Sequence, residues 1–298
     1  MIEIKCINDL ETARTLWQTL SPQKSLFDDW AFRYCFYKYQ PYPLFFYAAF
    51  DNEIDPEQPV ALLPLQLEST GYFKFFAEEP CEENRVFVKA GYEYLIPQLY
   101  QLIDRPARCY DISGEDEFTK SLPLEDYKYV LPLTGMKNFS DYMKICLSLK
   151  KQRNWRSDLR KVENQIIEVI YNNQADLKKL FVLNNQNFSD SYLQSNQDQG
   201  FWSDLLDLYN CQIVSVKVGG EVLAVSLSIV FNGIYFYLIN GVDSKKVSGL
   251  GKYLNKLNIE KAIELSCDYF DAGLGDCNWK KAWHFDPVPQ YEFVREGN

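Results

Sequence analysis

The residues with the clearest chemical potential lie where Val242-Asp243 runs through Ser-Lys-Lys246-Val247-Ser248-Gly249-Leu250-Gly251-Lys252 into text of helical periodicity. Backbone N–H groups at a helix start bind anions, and glycines let a phosphate approach the main chain closely. The N–H groups from Ser248 to Lys252 are therefore expected to cup a phosphate or diphosphate, with Lys246 adding positive charge. A nucleoside-triphosphate P-loop would need glycine at Lys246 and Ser or Thr at Tyr253, and has neither. A dinucleotide GxGxxG fails at Leu254, and hairpins rather than a βαβ crossover precede it. The alternative is a plain strand-to-helix turn whose glycines supply positive φ.

The elements that must position this loop are legible around it. Residues 211–242 read as three strands separated by Gly219-Gly220 and Asn232-Gly233, both signals for two-residue hairpin turns. A further strand is expected at 268–271, and helical text precedes the meander at 174–187 and 201–210. The first half carries a faint copy, with strand text at 45–50, 60–67 and 70–76 after helical text at 7–20 and 28–39. Repetition of one α/β unit explains both halves. After Phe76 the copy continues as Ala-Glu-Glu-Pro-Cys-Glu-Glu, which would repel a phosphate, so the anion site belongs to the second half. The join is expected near 131–137, where Pro132 and Gly135 interrupt the pattern, giving domains 1–134 and 135–298; a long polar-basic helix should follow at 140–165.

Bulk properties narrow the partners. The chain has 298 residues, enough for two domains, and a formal net charge of −10. That field repels nucleic-acid backbones, so DNA is not expected and tRNA is disfavoured; the cationic run with Arg153, Arg156 and Arg160 is the one face that could receive an anion or tRNA, against a plain solvated surface. Eight cysteines show no metal-ligand spacing, and the start Met-Ile-Glu-Ile-Lys does not read as a signal peptide, so reduced thiols in the cytoplasm are expected. The apolar run 222–241 is broken by Ser226, Ser228, Asn232 and Gly233, which argues for a hairpin and against a membrane span.

The loop, the meander before it and the strand after it resemble, in that order, the GNAT acyltransferase superfamily, whose pyrophosphate loop reads (Arg/Gln)-x-x-Gly-x-(Gly/Ala). Lys246 departs from the first position but keeps its charge. The tandem layout, the basic helix and the closing Gly275-Asp276-Cys277-Asn-Trp279-Lys280 look like the two-domain FemAB/CelD-type branch. The resemblance implies an α/β (α+β) fold of two GNAT-like units, each a mixed, mostly antiparallel sheet flanked by helices. It implies acetyl-CoA or another acyl-CoA as donor, on Val242 and Lys246 to Lys252, with the pantetheine arm between the splayed third meander strand and the strand at 268–271. The first half would be a scaffold or acceptor side.

Transfer to an amine or hydroxyl then needs a base or a water. Asp271 and Asp243 are the candidate catalytic carboxylates, Asp276 next, with a satisfied strand-end carboxylate the alternative for Asp271. Lys280 would face a small-molecule, sugar-like or peptide acceptor, or else be solvent-exposed. Cys277 reads as a small thiol and His284 as a packing or surface residue. Residues 187–192 could close over the acceptor. The alternatives on this fold are an aminoacyl-tRNA-dependent transferase of the cell-wall type, and a binding or scaffold protein without catalysis.

Overall fold

The computed structural model of the chain describes all residues except 166, 188–195, 276, 277 and 298, and gives only the backbone of 196–199. Two compact units emerge, one of residues 1–127 with 288–298 and one of residues 128–287.

In the first unit, β1 (Ile2–Ile7) is followed by α1 (Leu10–Leu20), α2 (Trp30–Tyr37), β2 (Leu44–Asp51), β3 (Asp55–Leu67), β4 (Phe73–Phe75), β5 (Phe87–Val88), α3 (Leu95–Gln101), β6 (Ala107–Ser113) and α4 (Glu117–Lys120). Ile7 ends a strand rather than starting a helix; the helix waits for Asp9, whose carboxylate accepts the Thr12 N–H. From there α1 buries Ala13, Leu16, Trp17 and Leu20, the i, i+3, i+4, i+7 stripe of a helix lying on a sheet. The strands β1 to β4 pair antiparallel in sequence, and β4 meets β6 in parallel.

The acidic stretch after Phe76 folds inward. Glu78 and Glu83 are buried, and Glu78 Oε2 accepts the Phe75 N–H at 2.9 Å. Arg33 from α2 reaches the same place, donating to Phe76 O at 2.8 Å, Glu83 O at 2.9 Å and Asn84 Oδ1 at 2.7 Å. A guanidinium thus satisfies carbonyls where the second unit places its glycine loop.

The chain enters the second unit within β7 (Leu124–Pro132) and continues through α5 (Phe139–Cys146), α6 (Leu149–Glu163), β8 (Ile167–Tyr171), α7 (Leu177–Asn187), α8 (Asn196–Leu208), β9 (Cys211–Val218), β10 (Glu221–Phe231), β11 (Ile234–Val242), α9 (Leu250–Glu264), β12 (Tyr269–Leu274) and α10 (Trp279–Ala282). Both hairpin turns form as expected, with φ of 59° and 85° at Gly219 and Gly220 and 47° and 76° at Asn232 and Gly233. Strands β8 to β11 form an antiparallel meander; β12 pairs β11 in parallel and β7 antiparallel. The helix expected over 140–165 is two helices: Leu147 is extended and buried, and Ser148 caps α6 by accepting the Lys151 N–H. Breaking there lets Phe139, Tyr142 and Trp155 gather with Trp283 in one aromatic cluster.

Beneath α9 lies a buried polar clasp. Asn258 Oδ1 accepts the Tyr235 hydroxyl at 2.8 Å, and its Nδ2 donates to Ser226 Oγ and to Leu254 O, each at 2.9 Å. Partnered polar groups in an apolar interface fix register, since sliding the helix would strand each of them.

The last strand, β13 (Asp286–Arg295), returns to the first unit and pairs antiparallel with β6. The division therefore differs from a single cut at 134: it falls at 127, and 288–298 belongs with the first unit. The closing text carries no signal for this, because a strand's pairing is chosen by its partner strands rather than by local pattern.

One titration is set by the first unit. Asp111 stands on β6 at φ 54°, and burial first, then the charges of Glu125, Glu82 and Asp126, push its carboxyl up to about 8. The folded state therefore holds a proton that the unfolded state releases near pH 4, and stability falls as pH rises from about 4 to about 8. Asp111→Asn, which tolerates the same backbone region, should stabilise the protein at pH 8 by ~1–2 kcal/mol and by less at pH 5. Urea unfolding at both pH values checks this; equal effects would show that Asp111 does not carry the proton.

Candidate functional site

The loop between β11 and α9 is built from an alternation of anchors and openings. Val247 and Leu250 are buried in the apolar core under the sheet, while Ser248 is exposed and Gly249 and Gly251 are half-buried. Gly249 takes φ 86° and is the N-cap of α9, with no side-chain cap bond. A Cβ on Gly249 would lie 3.3 Å from Val162 of α6, whereas one on Gly251 would meet nothing within 4 Å. The first turn of α9 is thus uncapped and faces open space through Gly251, the arrangement that suits a diphosphate.

Two of the cations near the loop, Lys246 and Lys252, are already engaged. Lys246 Nζ sits 2.8 Å and 2.7 Å from the two Glu221 carboxylate oxygens, and this pairing raises the lysine and lowers the glutamate from their ordinary pKa values. Lys252 Nζ contacts Asp158 Oδ2 at 2.6 Å and lies over the Trp155 ring, tying α9 to α6. Asp243 closes the turn: its Oδ1 accepts the Lys246 N–H at 3.1 Å and its own N–H donates to Leu223 O at 2.8 Å.

Beside the loop, β11 and β12 part. Their parallel register runs from Ile234↔Tyr269 to Phe236↔Asp271, while β11 continues to Val242. Both strands carry an extra residue. Against β10, the register skips Leu238; against β7, it skips Ala272 and Gly273. Bulges bend and twist the strands that hold them, and beyond Phe236 and Asp271 the two strands no longer pair, which leaves a cleft between their edges. The strands part where the sequence reading expects a splay.

A buried charged set holds the bulge of β12. Asp271 Oδ1 accepts the Gly273 N–H at 2.9 Å, and Oδ2 lies 3.2 Å from Lys128 Nζ. Lys280, only 3% exposed, donates to Gly273 O at 2.9 Å and to Leu274 O, with Nζ over the Tyr129 ring. Both Asp271 oxygens are therefore committed, and Lys280 is buried rather than solvent-exposed. The contacts of Lys128 and Tyr129 with this set were not legible; their only signal is a lysine flanked by tyrosines in strand text, and register alone puts Lys128 opposite β12.

Other candidates lie elsewhere. His284 is exposed, with Nε2 3.4 Å from Lys151 Nζ. Asp276, Cys277 and most of 187–192 lie outside the described residues. Among the described residues no cluster of His, Cys, Asp and Glu could hold a metal, and the cysteines described are free thiols.

The exposed face of α6 is cationic. Lys150, Lys151, Arg153, Arg156, Arg160 and Lys161 all face solvent, while Gln152, Trp155, Leu159 and Val162 face the core. Lys161 pairs with Asp158 at 3.6 Å.

Comparison with known proteins agrees with this geometry. Residues 150–281 match the family described as acetyltransferase (GNAT) domain. No curated protein matches the chain. Among solved structures, FemX superposes with a TM-score of 0.61 at 10% identity, over 98% of this chain and 97% of its own. L-PGS from Bacillus licheniformis gives 0.59 at 12% identity, over 98% and 93%. A tandem GNAT protein from the clavulanic acid biosynthesis pathway gives 0.53 at 10% identity, over 98% and 97%. At such identities the likeness is one of fold, and the fold is the tandem GNAT fold.

The ion pair makes a prediction about stability. Lys128→Met should leave Asp271 buried without its cation and cost ~3–5 kcal/mol, and adding Asp271→Asn should recover most of that loss. Urea titration of the two single variants and the double variant checks this. Additive losses would mean the two groups do not depend on each other.

Proposed function

From a tandem GNAT fold with an acetyltransferase domain match over 150–281, we propose that the protein is an acyltransferase whose second unit takes acetyl-CoA or another acyl-CoA and passes the acyl group to an amine or hydroxyl acceptor, N-acetyl transfer being the first activity to assay. The observation that carries this reading is the uncapped α9 N-terminus, opened by Gly251 at the end of the cleft between β11 and β12.

In this reading the N–H groups of Ser248 to Lys252 hold the diphosphate, Lys246 exchanges Glu221 for a phosphate oxygen, and Val242 marks where the arm enters the cleft. When bound, the thioester supplies the activated acyl group. The acceptor attacks the thioester carbonyl by direct transfer, its proton leaving to water or to a carboxylate, and the thiolate departs. Asp271 and Lys280 form the charged floor of the cleft. Both are held rigidly: the Lys280 cation suits electrostatic stabilisation of a developing oxyanion, while Asp271, whose like charge would repel one, keeps the bulge in place. Asp243 shapes the loop by holding the Lys246 N–H. The acceptor is a small polar, sugar-like or peptide-like molecule, and the first unit serves as scaffold or acceptor side. Free thiols fit a reducing compartment such as the cytoplasm.

Gly251→Glu separates binding from folding. The site tolerates a side chain sterically, but a carboxylate there repels a diphosphate. Wild type should gain thermal stability with excess CoA by linkage. The variant should melt at the same temperature without CoA and gain nothing with it. An equal CoA-dependent gain in the variant would remove the diphosphate from this loop.

A second reading has its own support. The cationic face of α6 stands out in a chain of net charge −10 and fits an aminoacyl-tRNA donor, whose phosphates would lie along the helix. Arg153→Glu with Arg156→Glu should weaken binding of an RNA acceptor-stem hairpin by 10-fold or more and flatten its salt dependence. Failure of the wild type to bind that RNA at low salt would leave α6 a solvated surface.

A further inference from the structure

The open edge of β11 is not bare. Asp243 N donates to Leu223 O, so that pair faces across to β10. Hydrogen-bonded pairs alternate along an antiparallel ladder. With Gly241 opposite Val225 and Val242 opposite Ala224, Gly241 shares the bonding phase of Asp243. Asn240 and Val242 therefore turn their N–H and C=O groups to the other edge, into the cleft. Two amides of α7 meet them there: Asn184 Nδ2 donates to Asn240 O at 2.7 Å, and Asn187 Nδ2 donates to Val242 O at 2.7 Å. Gly241 permits the close approach. A Cβ there would stand 2.6 Å from Leu183 Cβ and 2.7 Å from Asn184 N.

The two amides are unequal. Asn184 is buried. Asn187 is exposed, in the last turn of α7, and its amide also donates to Leu183 O at 3.0 Å. An arm that carries secondary amides and enters the cleft from the α9 N-terminus meets Val242 first. An extended chain lying on a strand edge binds by main-chain hydrogen bonds, and the Val242 carbonyl already has a donor.

We infer that Asn187 sets donor specificity by competition: its amide occupies the strand carbonyl that the nearest amide of a pantetheine-type arm would take, so that such a donor binds by exchanging with Asn187. The inference rests on the acyl-CoA reading and says how that site selects. Asn184 is not exchanged, and the Asn240 carbonyl stays closed to the arm. A donor that does not need the Val242 carbonyl is not penalised.

The test measures binding of CoA and of adenosine 3′,5′-bisphosphate, which lacks the arm, by titration calorimetry to wild type, Asn187→Ala and Asn187→Leu. Both variants should bind CoA about 2- to 10-fold more tightly, the range for one hydrogen bond released. Their affinity for the bisphosphate should be unchanged. Equal CoA affinity in all three proteins would overturn the inference while leaving the acyl-CoA reading intact. Equal tightening of both ligands would also overturn it, since the effect would not lie at the arm. If wild type and both variants bind no CoA, the acyl-CoA reading fails and this inference with it.

Discussion

The site depends on β12 being unable to stay in register with its neighbours. Lys280 spends its ammonium on the carbonyls of Gly273 and Leu274, and Asp271 accepts the Gly273 N–H while pairing with Lys128. A buried cation and a buried anion each need partners at fixed positions, and the partners available are the main-chain groups of the bulge. Flattening the strand would unpair both charges at once. The bulge is thereby held, and β11 and β12 no longer pair beyond Phe236 and Asp271.

The two units show how one framework can be opened or filled. Each has a meander and helices packed on it. In the second, the third meander strand runs to a glycine loop whose apolar residues Val247 and Leu250 are buried in the core, while Ser248 is exposed. In the first, the corresponding text is acidic, and it folds around Arg33, whose guanidinium satisfies the carbonyls of Phe27, Phe76 and Glu83. Arg33 thus directs four hydrogen bonds to the chain itself, whereas the α9 N-terminus has no side-chain cap.

Charge is distributed unevenly around the second unit. Two cations beside the loop, Lys246 and Lys252, are paired with Glu221 and Asp158, while Lys245 is exposed. The face of α6 keeps its cations exposed. Net charge described the chain as a whole and missed this face, because a sum carries no information on which side of a helix each charge lies.

Hairpin turns, the glycine loop, the meander order and the GNAT resemblance were readable from sequence because each depends on local chemistry: positive φ at Gly219, Gly220, Asn232 and Gly233, small residues at 249 and 251, and apolar periodicity. Lys280 and Asp271 stood out in the sequence as candidates, but their burial and partners were not legible there. The helix break at Leu147-Ser148, the return of β13 to the first unit, the Lys128–Asp271 pair and the asparagine amides on β11 were decided only by tertiary structure. Each joins residues far apart in sequence, and which strand faces which is settled by packing and register over the whole sheet. Local pattern specifies what an element is; the register of its neighbours specifies what its polar groups touch.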